Sequence, residues 1–283
     1  MGGHSFSPNK FMESQKQKWE KIWSPSLSKD ELAAIAHNIS TFRKHALENV
    51  DLTPHTPENY KKAIKNYGKD TQGVDMWKIS DLKQLPDLLI SNITDCCVKA
   101  VKHVALPHQT LISLNACLGK PSGDTRTVTK TPMLYRIMNK VMKPSITRWE
   151  SQHNGTHNTC AKGISAIGAA AIRNLIAEIA HWLNFEVISA FNDLWKFYDS
   201  VDIASLLVEA VHTEYPPAEL CLALQQHLAP RVIQCSGFSG EPFIINRSIL
   251  AGCLQSIAMT KAMLYRSMHY LSKKHIHAPL KYM

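Results

Sequence analysis

At 283 residues, with 45% apolar and 19% charged side chains, the chain is too apolar for a disordered segment and long enough to bury a core as one large domain or two small ones. Its net charge of +9 is uneven: residues 1–150 hold 22 of the 32 Lys and Arg and 14 of the 23 Asp and Glu, leaving 10 against 9 for the rest. A basic half beside a nearly neutral one fits a polyanion held by one lobe, and fits a merely soluble basic surface equally well. Seven cysteines, an odd number with no Cys-x-x-Cys, fit free thiols in a reducing, intracellular compartment. The opening MGGHSFSPNK lacks the apolar core of a secretory leader, and Phe6 stands where a myristoylation motif wants Ser or Thr. His153, His157 and Cys160 have ligand-like spacing, but no second ligand cluster follows, so no zinc site is expected there.

In chain order, residues 11–23 predict a polar helix with Trp19 and Trp23 four apart on one face, ended by Pro25. Ser28 and Glu31 form a capping box for a helix reaching about Leu47. Thr56-Pro57 starts another, ending near Gly68. After a loop over 69–75, Ser80 opens a short helical stretch broken by Pro86, and residues 87–104 are helical again. From Thr110 the texture changes. Residues 109–115 alternate as a strand, 120–125 make a turn, and a strand around Arg126 completes a basic β-hairpin. Leu134, Ile137, Met138 and Val141 have helical spacing over 132–142.

A helix over 161–183 follows. Its apolar run is broken by Arg173, Asn174, Glu178 and His181, which predicts a buried amphipathic helix and no membrane span. A strand is predicted over 185–193, a helix capped by Asp202 through about His212, and a helix from Pro216-Pro217 to near Leu228. A second hairpin pairs 231–235 with 242–246. A loop over 249–253 and a last helix over 254–274 complete a continuous α+β body without repeats. It divides into a helical extension (1–68), a middle region (69–160) and a C-terminal region (161–283).

The stretch FNDLWKFYDSVD, residues 191–202, carries the most chemistry. Asp193 and Asp199 lie six apart after an apolar alternating run. A strand end bearing a carboxylate is a rigid, partly exposed place to hold a divalent cation such as Mg²⁺. The same pattern also describes an edge-strand Asp followed by a helix N-cap. The spacing resembles the first catalytic motif of reverse transcriptases, Asp-Leu-x-x-Ala-Phe-Asp-x-Val-Asp. LGKPSGDTRTV at 118–128 resembles that family's fingers hairpin, with Lys120 and Arg126 at its two cationic positions and Thr127 replacing the usual Pro. PMLYRI at 132–137 matches the helix that follows it. ILAGCLQS at 249–256 resembles the second motif, Pro-Gln-Gly-Ser-x-x-Ser-Pro, through Gly252 and Ser256, with Ala251 replacing Gln and Cys253 replacing Ser. TQGVD at 71–75 and KGISA at 162–166 resemble two further family stretches. With the helix at 132–137 counted as part of the hairpin it follows, these five stretches stand in the family's order, and the first 65 residues match nothing. The chain thus resembles a reverse transcriptase domain of the non-LTR retrotransposon or group II intron kind.

The resemblance implies a partial polymerase right hand: a helical N-terminal region, a fingers-like region over 69–160 and an incomplete palm over 161–283. It implies template-directed DNA synthesis from deoxynucleoside triphosphates on an RNA template and a DNA primer, with no membrane partner, in nucleus or cytoplasm. Asp193, with the Leu194 carbonyl, would hold Mg²⁺ in a two-metal scheme. Lys120 and Arg126 would hold the β- and γ-phosphates. Tyr198 would lie beneath the sugar and favour deoxynucleotides. Gly252 would allow close approach to template base and nucleotide, with Ser256 beside it. Asp199 is expected to be structural or a helix cap. The family's Tyr-x-Asp-Asp pair is missing: no Asp-Asp occurs, and no Asp follows Asp202. The expectation is a sequence that stops one or two residues before that pair and is inactive alone. The alternative is a non-catalytic nucleic-acid-binding remnant.

Overall fold

The structure is a computed structural model that describes residues 7–121, 123–154, 165–186 and 196–274. It is an α+β fold. Helix α1 (Pro8–Trp23) starts on a proline at its first turn, where a missing N–H costs nothing. Helix α2 (Lys29–Glu48) opens on the predicted capping box: the Glu31 N–H donates to Ser28 Oγ (3.2 Å) and the Ser28 N–H to Glu31 Oε2 (2.8 Å). Helix α3 (Pro57–Lys65) is capped by Thr56, which accepts from the Asn59 N–H. Helices α4 (Ile79–Lys83) and α5 (Asp87–Lys102) flank Pro86.

Strands β1 (Ser113–Gly119) and β2 (Thr125–Lys130) form the expected antiparallel hairpin, but the first strand lies four residues later than the expected 109–115, because His108–Thr110 wind as a 3-10 turn. Leu118 stands opposite Arg126 and Gly119 opposite Thr125. Helix α6 (Met133–Gln152) runs ten residues past the expected end, through Pro144. An interior proline removes one backbone bond. Here Ile146 and Trp149 are buried beyond it, and the Trp149 indole donates to the Thr213 carbonyl at 2.6 Å. Tertiary burial outweighs the local penalty.

Helix α7 (Ala166–Trp182) corrects one expectation. It is not buried: Ile167 is 83% exposed and Trp182 88%, and Ile172, Leu175 and Ile179 are exposed as well. Helical spacing sets which residues share a face and not what covers it. The strand expected over 185–193 lies, from residue 187 onward, outside the described residues. Short α8 (Phe197–Ser200) precedes α9 (Ile203–His212), capped as expected by Asp202, which accepts from the Ser205 N–H at 2.8 Å. Helix α10 (Pro217–His227) leads to β3 (Arg231–Cys235), β4 (Phe238–Ser239) and α11 (Ser256–Lys274).

The sheet order is β2-β1-β3-β4. The central pair is parallel, with Ser113 beside Arg231, while the two outer pairs are antiparallel. The second hairpin is tighter than expected. Ser236 and Gly237 take φ of +49° and +86°, so the chain reverses in two residues and Cys235 faces Phe238. Of the expected 242–246 strand, Phe243 alone bridges Arg231. One hydrophobic cluster extends from Phe42 to Ala262 and includes Tyr60, Tyr135, Met138, Leu206 and Met259. A second sets Trp19 and Trp23 of α1 against Ile233, Cys235, Phe243 and Ile245. Each indole removes about 200 Å² from water, on the order of 5 kcal/mol as an upper figure.

Candidate functional site

The hairpin tip is fixed from outside itself. Its turn closes through the Lys120 N–H to the Asp124 carbonyl (2.7 Å) and the Gly123 N–H to the Lys120 carbonyl (2.9 Å), with Gly123 at φ +81°. Helix α1 then grips it. Lys18 Nζ donates to Asp124 Oδ1 (2.5 Å) and Thr125 Oγ1 (2.9 Å), and Thr125 Oγ1 donates to Gln15 Oε1 (3.0 Å). The Lys18 bond, with the Thr125 N–H, holds the Asp124 carboxyl down at about 2. Lys120 and Arg126 both stand exposed beside this anchored turn.

The loop before α11 lies against the hairpin. The Thr129 N–H donates to the Ala251 carbonyl at 3.3 Å, covering part of β2's outer edge. Gly252 has φ +99°, and a Cβ there would stand 3.7 Å from the Thr129 carbonyl, so conformation rather than crowding calls for glycine. Ser256 is buried, and its hydroxyl donates to the Leu250 carbonyl at 2.6 Å. It therefore shapes the loop from within. Gln255 accepts from the Tyr215 hydroxyl (3.3 Å) and donates to Asn139 Oδ1 (2.8 Å). Cys253 Sγ meets the Tyr135 hydroxyl at 3.3 Å, and burial raises both groups above their ordinary values.

The segment after Asp193 joins the same loop. The Ile249 N–H donates to the Tyr198 carbonyl and the Ser248 N–H to the Val201 carbonyl, each at 2.9 Å. The Tyr198 ring is half-buried against the main core. Asp199 lies inside α8 and caps nothing. Its Oδ1 accepts from the Trp23 indole at 2.7 Å. Burial raises the Asp199 carboxyl, while the Trp23 bond, Arg231 and Lys196 pull it down. Arg231 is itself 1% exposed, its guanidinium 4.3 Å over the Trp23 ring, donating to Ser248 Oγ (3.1 Å) and the His227 carbonyl (3.2 Å). Burial brings it down to about 9. Lys196, at φ +45°, sets its ammonium 4.3 Å over Trp19.

Three separated segments, the hairpin, the Gly252 loop and the Tyr198 helix, thus meet through backbone bonds, and α1 braces two of them. Asp193 and Leu194 lie outside the described residues. Among the described residues no three His, Cys, Asp or Glu cluster as a metal group. Asp199 is already tied to the Trp23 indole, and burial holds its carboxyl above the ordinary carboxylate value. No described helix is long and apolar enough to cross a membrane. The spacing of Trp19 and Trp23 marks a helix face, but nothing in the sequence pairs that face with the hairpin, and Gln15, Lys18, His227 and Arg231 carry no motif. Compared with known proteins, the chain matches no family model and no curated protein.

Proposed function

We propose that the chain is a reverse-transcriptase-like domain, a partial polymerase right hand that holds an RNA template, a DNA primer and a deoxynucleoside triphosphate. The observation that carries this reading is the bond from the Thr129 N–H to the Ala251 carbonyl. It joins the strand bearing Arg126 to the loop bearing Gly252, two stretches that resemble different motifs of one family. In this reading Lys120 and Arg126 offset phosphate charge from the anchored hairpin. Gly252 presents bare backbone to the base pair, and Ser256 keeps that loop in shape through Leu250. The Tyr198 ring limits the space at the sugar. Asp193 and the Leu194 carbonyl would hold Mg²⁺, which when bound lowers the barrier to phosphoryl transfer. The setting is intracellular, in nucleus or cytoplasm.

A second reading, nucleic-acid binding without catalysis, is favoured by the lack of any Asp-Asp pair in these 283 residues. One experiment separates the two. Primer–template binding and nucleotide incorporation are measured with Mg²⁺, for the chain and for Asp193→Ala. Salt-dependent binding with weak incorporation that Asp193→Ala abolishes supports the polymerase reading. Binding with no incorporation is the result expected of a domain inactive alone; if, in addition, a matched deoxynucleoside triphosphate with Mg²⁺ does not strengthen that binding, the second reading is left. Absence of salt-dependent binding refutes both, and incorporation that survives Asp193→Ala refutes the role given to that residue.

A further inference from the structure

The parallel register of β1 and β3 pairs Asn115 with Ile233 and Ala116 with Gln234, and one further step sets Cys117 beside Cys235. Neighbouring strands lie about 4.8 Å apart, inside the Cα separation that a disulfide spans. Both side chains belong to the face covered by α1, where Cys117 packs against the cluster that holds Cys235, Trp19 and Ile233. Their thiols stand close enough to interact. Cys235 is buried and Cys117 is partly open to solvent, so a small reagent reaches the pair from one side. Cys235 is the last residue of β3, next to the Ser236-Gly237 turn, and a strand end adjusts more readily than a strand centre.

We propose that Cys117 and Cys235 form a two-thiol modification site that a low-molecular-weight disulfide converts to an intrachain disulfide. The Cys117 thiolate attacks one sulfur of the reagent and expels a thiolate. The Cys235 thiolate then attacks the mixed disulfide at the Cys117 sulfur and expels a second. Two protein thiols are oxidised, and one reagent disulfide is reduced to two thiols. Burial holds the Cys117 thiol up at about 12, against the pull of Lys18, so the reaction is slow at neutral pH and its rate climbs about tenfold per pH unit. Cys117 lies opposite Thr127 and three residues before Lys120, so the bond would pin the root of the hairpin to β3.

The test uses the folded full chain with oxidised glutathione at mildly alkaline pH, then tryptic mapping without reductant. Each cysteine is alone in its peptide, residues 103–126 and 232–247. The expected product is those two peptides joined as the main linked species, with Cys235→Ser leaving a glutathione adduct on Cys117 instead. Modification of exposed Cys96 with no 117–235 link in the wild-type chain would overturn the proposal, as would a link that forms only after the chain is unfolded by urea. This outcome is independent of polymerase activity, so it stands or falls apart from the functional reading above.

Discussion

The indole N–H of Trp23 and the Oδ1 of Asp199 are 2.7 Å apart, and that bond ties the N-terminal helix to the segment that follows Asp193. The same indole lies under the buried guanidinium of Arg231, which reaches Ser248 and the carbonyl of His227. One side chain of a region without a recognisable motif thus holds together three parts of the candidate site. Trp23→Phe keeps a ring against Arg231 but leaves the Asp199 oxygen without its donor. The expected loss is about 1–3 kcal/mol in urea unfolding. A change near zero would show that the bond is dispensable.

Asp199 gives a pH signature. Its folded-state value is raised above 3.8, with Trp23, Arg231 and Lys196 as the groups facing it. The protonated form is therefore favoured by folding. Its contribution to stability is complete below 3.8 and is lost as pH rises through the folded value. Asp199→Asn keeps an acceptor for Trp23 and removes the titration. The wild-type profile minus the Asp199→Asn profile should fall across this window. A flat difference would contradict the burial of the carboxyl.

His227 acts in the opposite sense. It is wholly buried, its Nδ1 facing the Leu250 N–H at 3.4 Å, and burial, with Arg231 nearby, brings it down to about 3. Its stabilising contribution is present above 6.5 and is lost as pH falls towards 3, by about 1.4 kcal/mol per pH unit. His55, lowered by burial against a smaller pull from Asp51, acts in the same direction. His227→Asn retains an acceptor for the Leu250 N–H without the titration. Urea unfolding from pH 7 to pH 4 should show a shallower loss in the variant than in the wild type.

Two glycines are needed for different reasons. A Cβ on Gly73 would collide with the Asp75 carboxylate and come within 2.6 Å of the Met133 N, where Asp75 Oδ2 accepts the N–H that opens α6. A Cβ on Gly252 meets only an ordinary contact, 3.7 Å from the Thr129 carbonyl, but sits at φ +99°. Gly73→Ala should cost about 2–4 kcal/mol through the clash and the lost cap, and Gly252→Ala about 1–2 kcal/mol through backbone strain alone. Thermal unfolding that ranks them the other way would reject this division.

Lys120 and Arg126 are exposed on a turn that α1 anchors, so their removal should leave the fold intact. Lys120→Ala and Arg126→Ala should each lower the salt dependence of primer–template binding by about one unit of slope, with Tm unchanged. An unaltered slope in both variants would remove the hairpin from the binding surface.

Local chemistry was legible in the sequence. Ser28 with Glu31, Thr56, and Asp202 close their caps within three residues, and the turn from Lys120 to Asp124 closes within four, so the residues that decide each feature stand side by side. The order of the motif-like stretches is likewise a property of the chain alone. Their meeting is not. The bond from Thr129 to Ala251, the grip of Lys18 on Asp124 and the Trp23–Asp199 pair join residues more than 100 positions apart, with no spacing rule to announce them. The extension of α6 past Pro144 and the exposure of α7 also depend on what packs beside each helix. Sequence fixes which groups lie within one turn of each other. Which faces come together is set by burial across the whole chain, and here that burial made the N-terminal helix a brace for the hairpin.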